Sequence, residues 1–413
     1  MCLDVEAIAV RKVIGLLLIA FIMIAAPAAA GTLDEDRRAA EAGDASAQNV
    51  MGNRYMSGRE VPKDLSESAR WFRLAAEQGH AGAQNNLGAA YFGGLGVKQD
   101  YNQAAVWFRK AAEQGDGAAQ YQLGSMYQYG LGQPRDIAKA AHWYRLAADQ
   151  GVSFAQGPLG WIYLSGAGGE INYPEAARWF RKAAERGEAR CQYMLAVMLM
   201  SGMSEGAGRP GETFELMMQS ATKGYAPAQY ILGSMLDRGG RGNEAVKWYE
   251  VAARQNHPPA LNNLAVHYAL GLGVAKNYAT AMQLYQKAAA HGHPRAMNSI
   301  GFMYYKGQGV EVNYSEAIKW YARGAAAGFP EACKNLAGMF LEGKGAAKDA
   351  TKALYWLQIA AEGGHKDDHA TLAALESSLP PDFVDNTKKR VREWQAKTPY
   401  WSDFTEMLVY GWY

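Results

Sequence analysis

Small and apolar residues recur along most of the chain at helical spacing. In all copies but one an Ala is followed after four residues by a large apolar residue and a small one. Four residues beyond the large residue usually stands a Tyr, as in Ala83, Leu87, Gly88 and Tyr91. This spacing places the Ala, the large apolar residue and the Tyr on one helix face. Since Gly inside a helix costs about 1 kcal/mol relative to Ala, its recurrence predicts a close helix crossing that admits no side chain.

A second helix is predicted in each copy after a turn rich in Gly. An Asp or Asn opens it, and the pair Asp64 and Glu67 shows the spacing of a helix N-terminal capping box. Two Ala residues follow the middle of the helix, and a Gly such as Gly79 ends it, as expected for a left-handed stop. A Trp stands at a fixed position in most copies, namely Trp71, Trp107, Trp143, Trp179, Trp248, Trp320 and Trp356.

These copies divide residues 44–364 into nine helix–turn–helix units. Seven units have 36 residues, the fifth has 37 and the sixth has 32. A single unit of this kind is too small to bury its own apolar face, so the units must stack. The pattern predicts an all-α protein, a right-handed α/α solenoid. The units are 44–79, 80–115, 116–151, 152–187, 188–224, 225–256, 257–292, 293–328 and 329–364.

The repeated blocks also resemble a known family. Leu-Gly-x-x-Tyr, the Gly-x-Gly turn and the block ending in Ala-Ala-Glu-Gln-Gly, intact at 75–79 and 111–115, are similar to Sel-one-like (Sel1-like) repeats, relatives of the tetratricopeptide repeats. The resemblance covers about 320 of the 413 residues. It implies a non-catalytic scaffold or adaptor that binds other proteins, often in bacterial envelopes or at membranes.

Cysteine usage departs from one pattern in that family. Some members carry two cysteines in every repeat, linked within the repeat, whereas here no repeat holds more than one. Cys191 and Cys333 stand four repeats apart, too far for a bridge within one solenoid. We therefore interpret both as small buried thiols.

The N-terminal segment has the features of a secretory signal. Arg11 and Lys12 precede an apolar run from Val13 to Ile24, and small residues continue to Ala30. This order predicts a signal peptide at 1–30 that is cleaved after Ala30. The alternative is an uncleaved anchor, because the 18 residues from Val13 to Ala30 reach the lower limit for a bilayer span. We expect a periplasmic or secreted protein, in contact with the membrane only if this segment is retained.

Both flanks of the repeat region differ from the repeats. Residues 31–43 are predicted to form a linker or helix, and residues 365–397 are predicted to form capping helices. The latter comprise a tenth first helix, His365–Ser378, and a basic amphipathic helix, Phe383–Ala396, separated by two prolines. The tail at 398–413 is rich in Tyr and Trp. It either docks on the last repeats or engages a partner.

Charge and short motifs limit the functional classes. The 42 basic and 40 acidic residues give a net charge of +2, which excludes nucleic-acid binding through bulk charge. Three cysteines exclude a disulfide framework. Gly206-x-Gly-x-x-Gly211 matches a dinucleotide fingerprint, but no predicted strand precedes it, so we interpret it as a loop. His365 and His369 lack the third ligand that a metal site needs, and His80, at the same repeat position as His365, is interpreted as a surface residue between repeats. We expect no metal and no cofactor.

Two other functions remain open. Ser220 and Lys223 show the Ser-x-x-Lys spacing of β-lactam-recognising enzymes, and some relatives have been described as β-lactam binders or hydrolases. The Ser-Asp-Asn and Lys-Thr-Gly elements that complete that chemistry do not follow, so we do not expect an enzyme. A structural role in an envelope polysaccharide or motility assembly is the other alternative, and no specific residue supports it.

Variable positions on the first helices are the predicted binding site. They stand just after the repeated Ala-Gln pair or one turn further on, where we expect the concave side of the solenoid. Amides near the ends can hydrogen-bond an extended backbone, and aromatic residues in the middle suit apolar contacts. The alternative is that these side chains pack against the next repeat. The predicted groove residues are Asn49, Asn85, Tyr121, Trp161, Tyr193, Tyr230, Asn262, Asn298 and Phe302.

The fifth and sixth units break the pattern. The fifth has no Trp and an enlarged turn, and the sixth has lost four residues from its turn. Such changes alter the local curvature of a solenoid. They indicate either a hinge or specialised site, or tolerated decay of the repeat.

Overall fold

A computed structural model describes residues 31–204, 208–363 and 369–398. The described residues form 21 helices and no strand, which confirms the all-α prediction. The chain separates into two compact units, Met1–Arg209 and Pro210–Tyr413, and the boundary falls in the enlarged turn of the fifth repeat. The predicted signal peptide and all but the first residue of the aromatic tail lie outside the described residues.

The first unit is a stack of helix pairs that follow the repeats. Helix α1 precedes the repeats, the pairs α2–α3, α4–α5, α6–α7 and α8–α9 form repeats one to four, and α10 is the first helix of repeat five. The helices are α1 (Leu33–Glu41), α2 (Ala45–Ser57), α3 (Leu65–Glu77), α4 (Ala81–Gly93), α5 (Tyr101–Glu113), α6 (Gly117–Tyr129), α7 (Ile137–Asp149), α8 (Ser153–Ser165), α9 (Tyr173–Glu185) and α10 (Ala189–Met200).

The second unit begins with the second helix of repeat five. The pairs α12–α13, α14–α15, α16–α17 and α18–α19 form repeats six to nine, and two further helices follow. The helices are α11 (Glu212–Thr222), α12 (Ala226–Arg238), α13 (Gly242–Arg254), α14 (Pro258–Leu270), α15 (Tyr278–Ala290), α16 (Pro294–Lys306), α17 (Tyr314–Ala326), α18 (Pro330–Glu342), α19 (Ala350–Glu362), α20 (His369–Ser378) and α21 (Pro381–Gln395).

In six repeats a Gly of the first helix packs against an aromatic ring of the second helix. A Cβ placed on Gly88 would lie 2.8 Å from Cδ1 of Phe108, and one placed on Gly301 would lie 2.7 Å from Cδ1 of Tyr321. The predicted close crossing is therefore confirmed. The ring that fills the crossing belongs to the residue after the repeated Trp. Phe108 is buried, whereas Trp107 is only half-buried.

Buried glutamines join successive repeats. The side-chain amide of Gln84 donates to the Ala76 carbonyl of the preceding repeat at 3.2 Å and accepts from Gln114 Nε2 at 2.7 Å. The repeated Tyr adds a second link, because Arg109 on α5 donates to the Tyr127 hydroxyl on α6 at 2.7 Å. A buried amide that loses its partners costs roughly 1–3 kcal/mol, so this bonding holds each repeat in register with the next.

Side chains at the repeat junctions cap the helices. Asp64 accepts from the backbone N–H groups of Ser66 and Glu67, which confirms its predicted N-cap, whereas the Glu67 carboxylate bonds Arg70. His80 and His293 also cap: their Nδ1 atoms accept from the N–H groups three residues later at 3.0 and 3.3 Å. His80, interpreted from the sequence as a surface residue between repeats, is half-buried and caps the N-terminus of α4.

Helix α21 covers the last repeat. Val391 is buried in the same apolar cluster as Ile359, and Trp394 packs against that cluster. Arg390 lies over the ring of Tyr355, 5.0 Å from its centroid. A terminal repeat needs such a cover because no further unit buries its outer face. Nowhere in 31–204, 208–363 or 369–398 is a helix both long and apolar enough to cross a bilayer.

Candidate functional site

The first helices of each unit lie side by side and bond to one another through their side chains. Asn86 on α4 donates to Asn49 on α2 at 3.0 Å, and Asn335 on α18 donates to Asn298 on α16 at 2.8 Å. We call the surface made by α2, α4, α6, α8 and α10 the first-helix face of the first unit, and that made by α12, α14, α16 and α18 the first-helix face of the second. Asn49 and Asn298 thus lie on the predicted helices.

An aromatic cluster lies on the first-helix face of the first unit. The ring of Tyr121 on α6 is 6.3 Å from that of Phe154 on α8. The guanidinium of Arg190 on α10 lies 5.0 Å from the ring centroid of Trp161, and its charge also acts on Tyr129, lowering a pKa that burial raises. Phe154 is 46% exposed and Tyr129 is 43% exposed. We call these five residues the aromatic patch.

Three members of the patch, Phe154, Tyr129 and Arg190, are absent from the predicted site. Phe154 stands just before the repeated Ala, and it is the one aromatic residue among the nine copies of that position. This was a usable signal, since the other copies are small, charged or Pro. Tyr129 ends α6 directly before its Gly-rich turn, a place where the repeat pattern implies no binding role.

Polar groups border the aromatic patch. A Cβ at Gly157 would lie 3.3 Å from Glu188 Oε2, so the carboxyl group approaches the bare backbone of α8. Burial raises the pKa of Glu188, and burial raises the pKa of Tyr121 to about 12. Both groups therefore remain protonated to a higher pH than usual. A cation, a carboxyl group and several rings make a surface suited to binding.

Two predicted site residues are buried. Tyr193 on α10 is 2% exposed, and Asn262 on α14 is 1% exposed with its amide donating to Asn263 at 3.2 Å. The prediction that they line a groove is wrong for this conformation, because packing within each unit encloses them. Asn85 is half-buried, and so is Tyr230, whose ring lies 5.4 Å from that of His257.

A cavity of ≈ 340 Å³ opens on the first-helix face of the second unit. It lies between α16 and α18, and Thr371 of α20 borders it. Phe302, a predicted site residue, is 41% exposed at this place. We call the cavity the α16–α18 groove. Its lining includes Phe302, Tyr305, Lys306, Lys334, Asn335, Gly338, Met339, Leu341, Glu342 and Leu357.

The absence of a side chain at Gly338 opens this groove. Gly338 stands at the repeat position held by Phe302 one repeat earlier and by Trp161 in repeat four. A Cβ at Gly338 would meet no atom within 4 Å. Where repeats four and eight place an aromatic side chain, α18 therefore leaves space.

The geometry gives no support to the enzymatic alternative. Ser220 on α11 is 0% exposed, and a nucleophile must reach its substrate. Within the described ranges no group of three or more His, Cys, Asp or Glu side chains could hold a metal ion. Gly211 caps α11 with a φ of 82°, in keeping with a loop. Gly206 and His365 lie outside the described residues.

The Sel1 repeat family model matches nine consecutive segments of this chain. The chain therefore belongs to the Sel1 repeat family. The matched segments are 45–80, 81–116, 117–152, 154–188, 189–225, 226–257, 258–293, 294–329 and 330–365.

Solved structures of similar proteins exist. The chain is similar to c5321, described as a protective antigen present in uropathogenic Escherichia coli strains displaying an SLR fold, with 31% identity over 88% of this chain and 87% of that one and a TM-score of 0.64. It is also 30% identical to a Sel1 repeat protein from Oxalobacter formigenes, over 86% of this chain and 92% of that one, with a TM-score of 0.39. Curated proteins show no significant match.

Proposed function

We propose that this protein is a non-catalytic scaffold that binds a protein partner on its first-helix faces. Sel1 repeats commonly serve protein interaction. The aromatic patch is the observation that carries the proposal. It places exposed rings beside an arginine on a face where the repeat pattern requires neither.

The composition of the patch supports an interface. Tyr, Trp and Arg are enriched among the residues that dominate binding energy at interfaces. Exposed apolar clusters are uncommon on monomeric proteins unless they bind something. Phe154, Tyr129 and Trp161 together offer such a cluster, and Arg190 and Glu188 at its border can orient a partner by charge.

We propose further that the protein acts in the bacterial envelope, exported by residues 1–30. The basic residues, apolar run and small residues of that segment support export. The similar E. coli protein c5321 is a protective antigen. Mass spectrometry of the chain purified from an envelope fraction tests this proposal, and a new N-terminus at Gly31 is the expected result. An N-terminus at Met1 in a cytoplasmic fraction would contradict it.

Site-specific photo-crosslinking in cells tests the binding proposal. A benzophenone amino acid replaces Phe154 in one variant and Trp161 in another. Both side chains are already aromatic, so the change in shape is small. Val106 on α5 and Leu146 on α7 are exposed apolar residues on second helices, and the same substitution there provides matched controls.

The expected result is one protein crosslinked from both patch positions and from neither control. Mass spectrometry identifies it, and circular dichroism confirms that each variant folds. Equal crosslinking from the control positions, or adducts that differ between Phe154 and Trp161, would refute a binding site on this face.

A further inference from the structure

We infer that the α16–α18 groove binds a short segment of a partner protein that carries an apolar or aromatic anchor residue beside a carboxylate. The inference deepens the proposed function and rests on it only because the occupant is a protein. The groove belongs to the second unit and the aromatic patch to the first, so the two sites can be tested separately.

The groove has the size and lining for one anchor residue. Its ≈ 340 Å³ is at the small end of the roughly 300–1,000 Å³ range of ligand pockets. Gly338 leaves space at the α18 wall, while Met339 and Leu357 are buried and apolar. Phe302 on α16 stands exposed at the same opening. Burial of an apolar side chain there is the main source of affinity.

A lysine at the opening supplies the charge. Lys306 Nζ lies 5.2 Å from the ring centroid of Tyr305 and 5.9 Å from that of Phe302. Among the residues that the structure describes, no carboxylate lies within ion-pair distance of Lys306. A partner carboxylate next to the anchor would therefore meet an exposed ammonium group without displacing an existing ion pair.

The charged side chains of the lining are Lys306, Lys334 and Glu342. Glu342 pairs with Lys344 at 2.6 Å, and the bond to this ammonium lowers the pKa of Glu342. The two lysines and one glutamate of the lining therefore give the groove one excess positive charge, which favours a partner with a carboxylate near its anchor.

An amide beside the anchor site suits an extended backbone. Asn335 lines the groove and uses one N–H to bond Asn298 at 2.8 Å. A side-chain amide has two N–H donors and a carbonyl acceptor, which leaves capacity for a peptide group. A nucleic acid fits less well, since phosphates need a track of cations and Glu342 lies in the lining.

Binding of three matched peptides to the full chain purified from cells tests the inference. Fluorescein-labelled Gly-Ser-Glu-Phe-Glu-Ser-Gly has both an anchor and carboxylates. Replacing Phe by Ala removes the anchor, and replacing each Glu by Lys reverses the charge. A labelled oligothymidine is the nucleic-acid probe. Fluorescence anisotropy follows each titration up to about 1 mM, the upper end of weak specific affinity.

Two variants locate the binding. Gly338→Trp places a large side chain in the open space of the groove. It should weaken binding of the Phe peptide at least about tenfold by occluding the anchor site. Lys306→Gln should weaken it about twofold to fivefold, as expected for one exposed ion pair. Lys287→Gln, an exposed lysine on second helix α15, is the matched control and should leave binding unchanged.

The expected order is the acidic Phe peptide first, with the Ala and Lys peptides weaker. Equal binding of the three peptides, no binding of any, binding unaffected by Gly338→Trp or Lys306→Gln, or tighter binding of the oligothymidine would each overturn the inference. Crosslinking at Phe154 is scored separately. If Phe154 crosslinks a partner while the peptides do not bind, the proposed function stands and only this site is removed. If the peptides bind while Phe154 crosslinks no partner, this site stands and the binding proposal for the aromatic patch is removed.

Discussion

A Cβ on Gly124 would lie 2.9 Å from Cδ1 of Tyr144, closer than packed carbon atoms approach. Tyr144 is buried, and its hydroxyl donates to Gln128 at 2.7 Å, so the ring has little freedom to move. The bare backbone of Gly124 is thus what allows the two helices of repeat three to cross. The same relation recurs between Gly160 and Phe180 at 2.9 Å.

Gly124→Ala is therefore expected to lower the stability of the protein. Overpacking costs about 1–3 kcal/mol, which outweighs the roughly 1 kcal/mol that Ala gains in helix propensity. Gly338→Ala is the matched control. It meets open space, so only the propensity gain applies and stability should rise by about 0.5–1 kcal/mol. Urea denaturation followed by circular dichroism measures both, and a rise in midpoint for Gly124→Ala would disprove the packing argument.

His267→Ala is expected to destabilise the second unit by about 2–4 kcal/mol. The ring of His267 is buried, with Nε2 at 2.8 Å from the Asp237 carboxylate and Nδ1 at 2.6 Å from the Leu272 carbonyl. Removing the ring leaves a void, and the Asp237 carboxylate and the Leu272 carbonyl each lose a hydrogen-bond partner. His142→Ala, at an exposed position of α7, should change the denaturation midpoint little. Equal effects of the two substitutions would contradict a structural role for His267.

Stability is expected to fall in alkaline solution. Burial raises the pKa of Tyr121 and of Tyr285 to about 12 from 10.0. The unfolded chain ionises first, so the contribution of these groups is fully present below pH 10 and is lost as the pH rises through about 12. Urea midpoints compared at about pH 9 and about pH 11 measure the loss.

Tyr285→Phe should make that alkaline loss smaller, because one of the groups no longer titrates. Tyr173→Phe removes an exposed tyrosine. It should show the same alkaline loss of stability as the wild-type protein. If Tyr285→Phe shows the full loss, the burial of this hydroxyl does not govern the alkaline behaviour.

The two thiols at 191 and 333 are expected to be inert in the folded chain. Both are buried and free. Burial raises the pKa of Cys333 to about 12 and raises that of Cys191 far above its ordinary value, and only the thiolate reacts. Ellman's reagent at about pH 8 should therefore label neither thiol until urea unfolds the protein. Rapid labelling of the native chain that disappears in Cys333→Ala would show that α18 opens at this site.

Much of the fold follows from local pattern. Ala, Gly and Tyr at helical spacing predicted the first helices, Trp and the Ala pair predicted the second, and α21 was predicted as Phe383–Ala396 and found as Pro381–Gln395. These features repeat because each copy must solve the same packing problem with its neighbours. The same residue types therefore recur at the same positions of each copy, and this recurrence is visible in a single sequence.

The candidate site was less predictable. Tyr193 and Tyr230 share a repeat position and are both aromatic, yet Tyr193 is buried and Tyr230 is half-buried. Phe154 and Tyr129 lie beside predicted residues and were missed. Exposure at a variable position depends on the sizes of side chains from other helices, and the spacing within one repeat does not contain that information.

The sequence by itself determined the helix pairs, their order and the family, because these depend on periodic burial and on residues close together in the chain. Only the tertiary structure decided which variable side chains reach solvent and where a missing side chain leaves a groove. Gly338 shows the difference. In the sequence it is one more small residue in a helix, and only the positions of α16, α18 and α20 around it make its absent side chain a cavity.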